Sequence, residues 1–345
     1  MVWGPDITCS TILKDTNVPQ VHGEIRRCWD PDVVPVLGHM GGSRTLYEAF
    51  RHGAQVNPLG PCMGFRAVST SGLATPFIYS SYSECLARVN ALSAGLDELN
   101  LLNDKSDYKC IGLYMKNCME WLLSEHAAYS IGGVTVPLYD TLGSNTVYFI
   151  LQQTKTKTVV CSRAEFPNLC KAKLDGTKKN ELQSFTSVLL VDGVTSEASR
   201  MAEEANLQVL ALAKVEAVGA RRIAERGHKH SPPSAHDLAT FCYTSGTTGT
   251  PKGAMLTHLN LVAAMVAPAG ANHLAPTNPY DRHLSYLPLA HIFERVVITQ
   301  ILSAGGSIAF YRGKPEYLVE DLQACRPTVL PVAPRVLNKI YDKVS

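Results

Sequence analysis

An α/β fold of layered, mostly parallel sheets flanked by helices is what the sequence predicts, and three observations lead to it. From about residue 80 onward, apolar runs of strand length alternate with helix-period patterns. Capping and stop residues stand where one pattern gives way to the other. No repeat of fixed period runs through the chain, which sets aside solenoids and propellers. With 345 residues, 46% of them hydrophobic, there is material for two or three packed layers, in one large domain or two moderate ones.

"KCIGLYM", Lys109 to Met115, reads as a buried strand. Asn117 is the expected N-cap of a helix from Met119 to Ile131, with Gly132 and Gly133 as its stop and "VTVPLY" as the next strand. Strand, helix and strand in that order form a βαβ unit, expected to be parallel and right-handed. A helix near Asn145 to Gln153, the strand "KTVVCS", a lysine-rich stretch near Lys171 to Asn180 and the strand "FTSVLLVDG" continue the alternation. "ERGHKHSPPSAHD", Glu225 to Asp237, concentrates proline, histidine and serine and is expected as an exposed connector. His228 and His230 lie in it without a third ligand nearby in sequence, so a solvated loop is expected rather than a metal site. After the connector, "DLATFCYT" suits a strand and "GAMLT" a second short extended run. Thr257 is placed to cap the helix "HLNLVAAMV", expected to stop before Pro268.

Charge and cysteine usage narrow the class of function. Lys and Arg total 32 against 30 Asp and Glu, a formal charge of +2, so no basic field drives sequence-independent nucleic-acid binding. Ten cysteines are scattered without a C-x-x-C pair or zinc spacing, and read as buried thiols of an intracellular, reducing compartment. The start "MVWGPDITCSTILKD" lacks the basic and apolar regions of a secretory signal, and "WLLSEHAAYSIGG" falls far short of the ~20 apolar residues of a span. A cytoplasmic protein, or one peripheral on a membrane, is expected.

The densest chemical signal is "YTSGTTGTPKG", Tyr243 to Gly253. It joins two structured elements, whereas a linker has polar, aperiodic flanks. Gly246 and Gly249 permit the backbone angles that turn successive N–H groups inward, and Thr244, Ser245, Thr247, Thr248 and Thr250 supply hydroxyl donors. Lys252 adds a full charge, worth on the order of 4 kcal/mol against a phosphate oxygen ~4 Å away at an effective dielectric of ~20, before the cost of removing water. The pattern points to phosphate. It is not the G-x-x-x-x-G-K-[ST] loop, because Pro251 and Gly253 flank the lysine where that loop has glycine and a hydroxyl. A GTPase-like motor is thereby excluded.

"YTSGTTGTPKG" resembles the signature of the adenylate-forming superfamily of acyl-CoA synthetases, luciferases and peptide synthetases. "TLYEAFRHGAQVNPLGPCMGFR", "GLYMKNCMEWLLSEHAAYSIGGVTVPLYDTLG", "LSYLPLAHIFER" and "EDLQACRPTVLPVAPRVLNKIYDKV" look like its long-chain fatty acyl-CoA synthetase branch. The resemblance runs from about Thr45 to the end and is weakest between Lys171 and Ala235. It implies an irregular segment over 1–44, a first α/β subdomain over 45–232 and the start of a second over 233–345, as in the large N-terminal domain of that superfamily. It also implies that relatives continue past Ser345 for roughly as long again, with a magnesium-binding glutamate, a ribose-binding aspartate and a mobile domain carrying a catalytic lysine.

The implied reaction has two steps. A fatty carboxylate attacks the α-phosphate of ATP to give acyl-adenylate and pyrophosphate, and the thiol of coenzyme A then displaces AMP. The resemblance places Thr244, Ser245, Gly246, Thr247, Thr248, Gly249, Thr250 and Lys252 around the β and γ phosphates, with the Thr244 hydroxyl on Mg²⁺. Lys252 and His291 are the implied catalytic residues, His291 beside the acyl-adenylate and the backbone of Ile292 near the nucleotide. From spacing alone, His291 reads as a core histidine bonded to a backbone carbonyl. Phe293 and "VVITQIL" read either as the wall of an acyl tunnel, gaining ~0.8 kcal/mol per CH₂ buried, or as ordinary helix core. Glu294 and Arg295 read as a local, solvated ion pair. Asp140 falls at a strand's carboxyl end, within a serviceable turn, and is assigned no catalytic role. The alternative to a ligase is a non-catalytic module that keeps the phosphate loop and binds nucleotide or lipid.

Overall fold

The computed structural model describes residues 10–12, 26–28, 42–69, 72–102, 108–174, 182–244, 251–270, 277–334, 336–338 and 341. A small antiparallel ladder pairs β1 (Ser10–Ile12) with β2 (Arg26–Cys28). The first helix, α1 (Leu46–Val56), starts at a reciprocal cap in which Thr45 accepts from the Glu48 N–H and Glu48 accepts from the Thr45 N–H. Next come the antiparallel strands β3 (Pro61–Phe65) and β4 (Ile78–Ser81), and then α2 (Tyr82–Glu98), capped in the same way by Ser81 and Glu84.

The alternation read from the sequence comes next. It runs β5 (Cys110–Tyr114), α3 (Met119–Tyr129), β6 (Val134–Leu138), α4 (Ser144–Thr154), β7 (Thr158–Cys161), α5 (Phe166–Leu174) and β8 (Ser187–Leu190). It continues with α6 (Ser196–Glu204), β9 (Gln208–Ala211), α7 (Leu212–Arg226), β10 (Leu238–Thr244) and β11 (Lys252–Thr257). The last elements are α8 (His258–Gly270), β12 (Arg282–Ser285), α9 (Ile292–Ser303), β13 (Ser307–Phe310) and α10 (Leu318–Cys325).

Among the described residues, one sheet has the order β11-β10-β6-β5-β7-β8-β9 and a second the order β12-β13-β3-β4. The first is parallel apart from β10 with β11, as the βαβ reading required. The second joins the parallel strands β12, β13 and β3 to the antiparallel β4. The segments on either side of residue 233 therefore interleave: β10 and β11 extend the sheet of residues 110–211, while β3 and β4 extend the sheet of β12 and β13.

Side-chain alternation turns this topology into layers. On β5, Cys110 and Tyr114 face an outer core shared with Val147 and Ile150 of α4 and Phe166 and Leu169 of α5. Ile111 and Leu113 face an inner core with α2, α3 and α9, and Met63, Ile308 and Phe310 of the second sheet close that core from its other side. Leu284 and Ala309 on the opposite face of the second sheet meet Leu318, Leu322 and Cys325 of α10. A helical layer is thus sandwiched between two sheets, and α9 runs through it.

Two sequence expectations are corrected. Asn117 does not cap α3: Cys118 holds the cap position without a side-chain bond, because the Asn117 carboxamide is engaged with the second sheet. The helix after Thr257 runs through Pro268 to Gly270, since a proline in the last turn forfeits a single backbone bond. Thr257 does cap it, accepting from the Asn260 N–H at 3.2 Å.

The approach of α1 to α9 depends on Gly53. A Cβ at that position would lie 1.8 Å from the Leu302 carbonyl oxygen, and backbone cannot swing aside as a side chain can. Gly53→Ala is expected to lower stability by about 1–3 kcal/mol despite the ~1 kcal/mol alanine ordinarily gains in a helix. Urea denaturation of the two forms measures this; an unchanged or higher midpoint contradicts the close approach.

Candidate active site

Parallel strands of both sheets end at one edge of the helical layer, and polar residues stand just beyond their ends. After β5 stand Lys116 and Asn117, after β6 Asp140, after β7 Ser162 and Glu165, after β8 Asp192 and after β13 Arg312. Lys116, Asn117, Ser162, Glu165, Asp192 and Arg312 line a cleft of about 620 Å³ between the sheets, floored by Met115, Phe310 and Val191. A second cavity of about 200 Å³ shares Met115, Lys116, Asn117 and Tyr311 with it and is completed by Asp140, Tyr286 and Leu289. Burial, with Asp140 and Asp192 nearby, pushes the Glu165 carboxyl up to about 7, against the opposing charge of Lys116.

Asn117 ties the two sheets together at this edge. Its Nδ2 donates to Ser285 Oγ at 2.8 Å and to the Leu287 carbonyl at 2.6 Å, and its Oδ1 accepts from the Leu289 N–H at 2.9 Å. The loop after β12, which leads into "AHIFER", is therefore held against the end of β5. The sequence carried the signal, a polar residue shortly after a buried strand, but not its partners.

Beside this loop β10 and β11 form a hairpin whose last register pair is Thr244 opposite Lys252. Both residues are exposed. Tyr243, one residue earlier, is buried and donates to Gln153 Oε1 at 2.6 Å. Its ring covers Gly253, where a Cβ would sit 2.9 Å from Cζ, so only glycine lets the returning strand pass. The turn between them, carrying Ser245, Gly246, Thr247, Thr248, Gly249 and Thr250, lies outside the described residues.

The start of α9 meets β10 just before Thr244. Burial raises the Cys242 thiol above its usual range, with Arg295 and the nearby backbone of Ile292 opposing the shift. His291 occupies the N-cap of α9, exposed, its Nδ1 accepting from the Phe293 N–H at 3.2 Å. Accepting through Nδ1 leaves the neutral ring its proton on Nε2. The expectation of a core histidine bonded to a carbonyl is thus overturned: a helix start needs an acceptor for its unpaired N–H groups, and His291 supplies it. Phe293 is half exposed, whereas Val297, Ile298, Ile301 and Leu302 of "VVITQIL" pack in the inner core.

Glu294 and Arg295 do not form a solvated pair. They are 0% and 4% exposed and point to different sheets. Glu294 meets His283 Nε2 of β12 at 2.9 Å. Arg295 reaches Thr240 of β10 at 2.9 Å, Thr135 of β6 at 3.1 Å, and both Tyr129 and Glu125 of α3. Burial would raise the Glu125 carboxyl, but Arg295, His126 and the bonds from Tyr129 and Arg295 outweigh it and hold it below the carboxylate range. Neighbouring residues of a helix point about 100° apart, so a helix between two sheets sends them to opposite sides.

His228 and His230 fold back onto helices, His228 Nε2 lying 3.0 Å from Ser93 Oγ and His230 Nδ1 lying 3.5 Å from the Arg51 guanidinium. No group of three metal-ligating side chains is found among the described residues.

The sequence profile described as "AMP-binding enzyme" matches residues 66–345. The chain belongs to the AMP-binding enzyme family. Long-chain-fatty-acid–CoA ligase 5 of Rattus norvegicus is 36% identical over 313 residues, covering 90% of this chain and 44% of that protein. The chain thus spans somewhat less than half of that relative. The adenylation domain of a carboxylate reductase from Mycobacterium chelonae superposes with a TM-score of 0.72 at 22% identity, over 91% of this chain and 50% of that one. The A domain of a carboxylic acid reductase from Segniliparus rugosus, solved with AMP and a co-purified carboxylic acid, superposes with a TM-score of 0.69 at 24% identity, over 86% and 49%. The likeness of these two structures establishes the adenylation-domain fold.

Two buried histidines make the site's surroundings acid-sensitive. Burial pushes His126 and His258 down to about 4, Glu125 opposing the shift in both. Unfolded, each takes up a proton near pH 6.5; folded, each stays neutral until about pH 4. Their contribution to stability is therefore full above about 6.5 and is lost progressively as the pH falls towards about 4. Thermal midpoints read by circular dichroism are expected to fall steadily from pH 7 to pH 4.5; a flat profile contradicts this.

Proposed function

We propose that this chain carries the nucleotide-binding, acid-activating part of a long-chain fatty acid–CoA ligase. The observation that carries the proposal is the hairpin that sets Thr244 opposite Lys252 at the carboxyl edge of the first sheet, beside the helix start that presents His291. The family match and the kinship with long-chain-fatty-acid–CoA ligases support it.

The first step brings an anionic carboxylate to the α-phosphorus of a polyanion. A carboxylate oxygen bonds to phosphorus, the bond from phosphorus to the bridging oxygen breaks, and pyrophosphate leaves with the electron pair. In the second step the thiol sulfur of coenzyme A attacks the acyl carbon, AMP leaves, and the thiol proton passes to solvent. Negative charge grows most on the leaving pyrophosphate. Lys252, together with the hydroxyls and amides of residues 244–250, is assigned to neutralise it there. His291, at the N-cap of α9, is assigned to the acyl-adenylate side of the site. Mg²⁺ fits a single exposed hydroxyl at Thr244, since this hard cation keeps several waters and takes phosphate oxygens as its other ligands. When bound it would shield the phosphate charges.

The acyl chain and coenzyme A are assigned here as substrates through the kinship alone. Among the described residues no helix is long and apolar enough to cross a bilayer.

Fatty-acid-dependent exchange of labelled pyrophosphate into ATP tests the proposal on the longest natural form of the protein that carries this chain. Lys252→Ala is expected to slow exchange by about one to three powers of ten, the range for losing one charge-stabilising donor. Equal rates remove Lys252 from the mechanism. Absence of acid-dependent exchange in the unaltered protein favours a nucleotide- or lipid-binding module.

A further inference from the structure

We infer that Arg295 and Glu294 are positioning residues for the activation step, holding the start of α9, and with it His291, in register with the phosphate hairpin. The inference rests on the ligase reading above and adds to it residues outside the phosphate loop.

Three observations carry it. First, the two charged side chains come within one helical turn of His291 and are anchored in different sheets. Glu294 is tied to β12 through His283, and Arg295 to β10 and β6 through Thr240 and Thr135. His283 extends the first tether, its Nδ1 lying 3.3 Å from the Val329 carbonyl. Both ring nitrogens therefore lie against oxygen atoms of neighbouring elements.

Second, the strand that Arg295 grips is the one that runs into the phosphate hairpin. Thr240 lies four residues before Thr244 on β10, and Arg295 donates to its hydroxyl at 2.9 Å. A change in the Arg295 contacts is transmitted to His291 through one helical turn and to Thr244 through one strand.

Third, the network is costly as a means of stability. Arg295 Nε and Glu294 Oε2 are buried without a hydrogen-bond partner among the described residues. An apolar pair of similar volume generally serves stability as well as a buried ion pair does, so a buried pair with unpaired atoms is better accounted for by the geometry it fixes.

The test is a double-mutant cycle in acid-dependent pyrophosphate exchange, on the same natural form of the protein. Arg295→Lys keeps the charge opposite Glu125, so the fold is retained, but one ammonium cannot reach four partners on three elements. It is expected to lower kcat about tenfold or more with the KM for ATP changed less than about threefold. His291→Ala is expected to cost the unaltered protein about tenfold or more, and the Arg295→Lys protein less than about threefold, because the ring is already displaced there. The neutral pair Glu125→Met with Arg295→Met leaves no uncompensated buried charge and is expected to fold while showing the same coupled loss. Multiplicative losses in the cycle, an unchanged rate in Arg295→Lys, or an unaltered protein indifferent to His291→Ala overturn the positioning role while leaving the ligase reading intact. An unaltered protein without acid-dependent exchange overturns both.

Discussion

A full positive charge held where water scarcely reaches constrains the rest of this molecule. Arg295 is 4% exposed, and its guanidinium reaches its four partners only if α3, β6 and β10 stand at fixed distances from α9. Removing one partner of such a buried pair costs about 3–5 kcal/mol, far more than any surface pair contributes. The neighbouring Glu294 fixes the same helix to β12. Two sheets with separate hydrogen-bond ladders thereby acquire a common reference, and Gly53 lets α1 close over the far end of that helix.

That reference matters because of where the strands end. In a sheet of parallel strands the carboxyl ends share one edge, and polar residues placed there face a crevice rather than the core. Here two sheets contribute: Asn117 from β5 holds the loop after β12, and the β10–β11 hairpin stands beside the start of α9. The polar residues after β5, β6, β7, β8 and β13 are gathered at this edge from separate stretches of chain. In the cleft between the sheets, burial, aided by Asp140 and Asp192, raises the Glu165 carboxyl.

Much of this fold is legible in the sequence. β5, α3 and β6 are readable from apolar runs, a cap region and a glycine stop, and β10 and β11 from the strand patterns that flank the phosphate loop. Such signals are local, and local pattern is what a single sequence encodes well. β3 is not legible: "PCMGF" carries a proline, a glycine and no β-branched residue, and it is a strand because β13 and β4 pair with it. The pairing of Arg295 with Glu125 spans 170 positions, and nothing in either segment names the other. Read locally, Glu294 and Arg295 look like a surface pair, because charge alone does not reveal burial. Asn117 looks like a helix cap because its chemistry suits one, and its competing partners at Ser285, Leu287 and Leu289 are invisible in sequence.

The central claim is that the phosphates of ATP lie between Thr244 and Lys252 at the carboxyl edge of the first sheet, with the α-phosphorus towards His291. A crystal structure of the protein grown with a non-hydrolysable ATP analogue and Mg²⁺ tests it most directly. Density for the β and γ phosphates is expected within hydrogen-bond reach of Lys252 Nζ and the hairpin amides, with the helix start at His291 facing the α-phosphate. Triphosphate seated elsewhere, with the hairpin turned out to solvent, would contradict it.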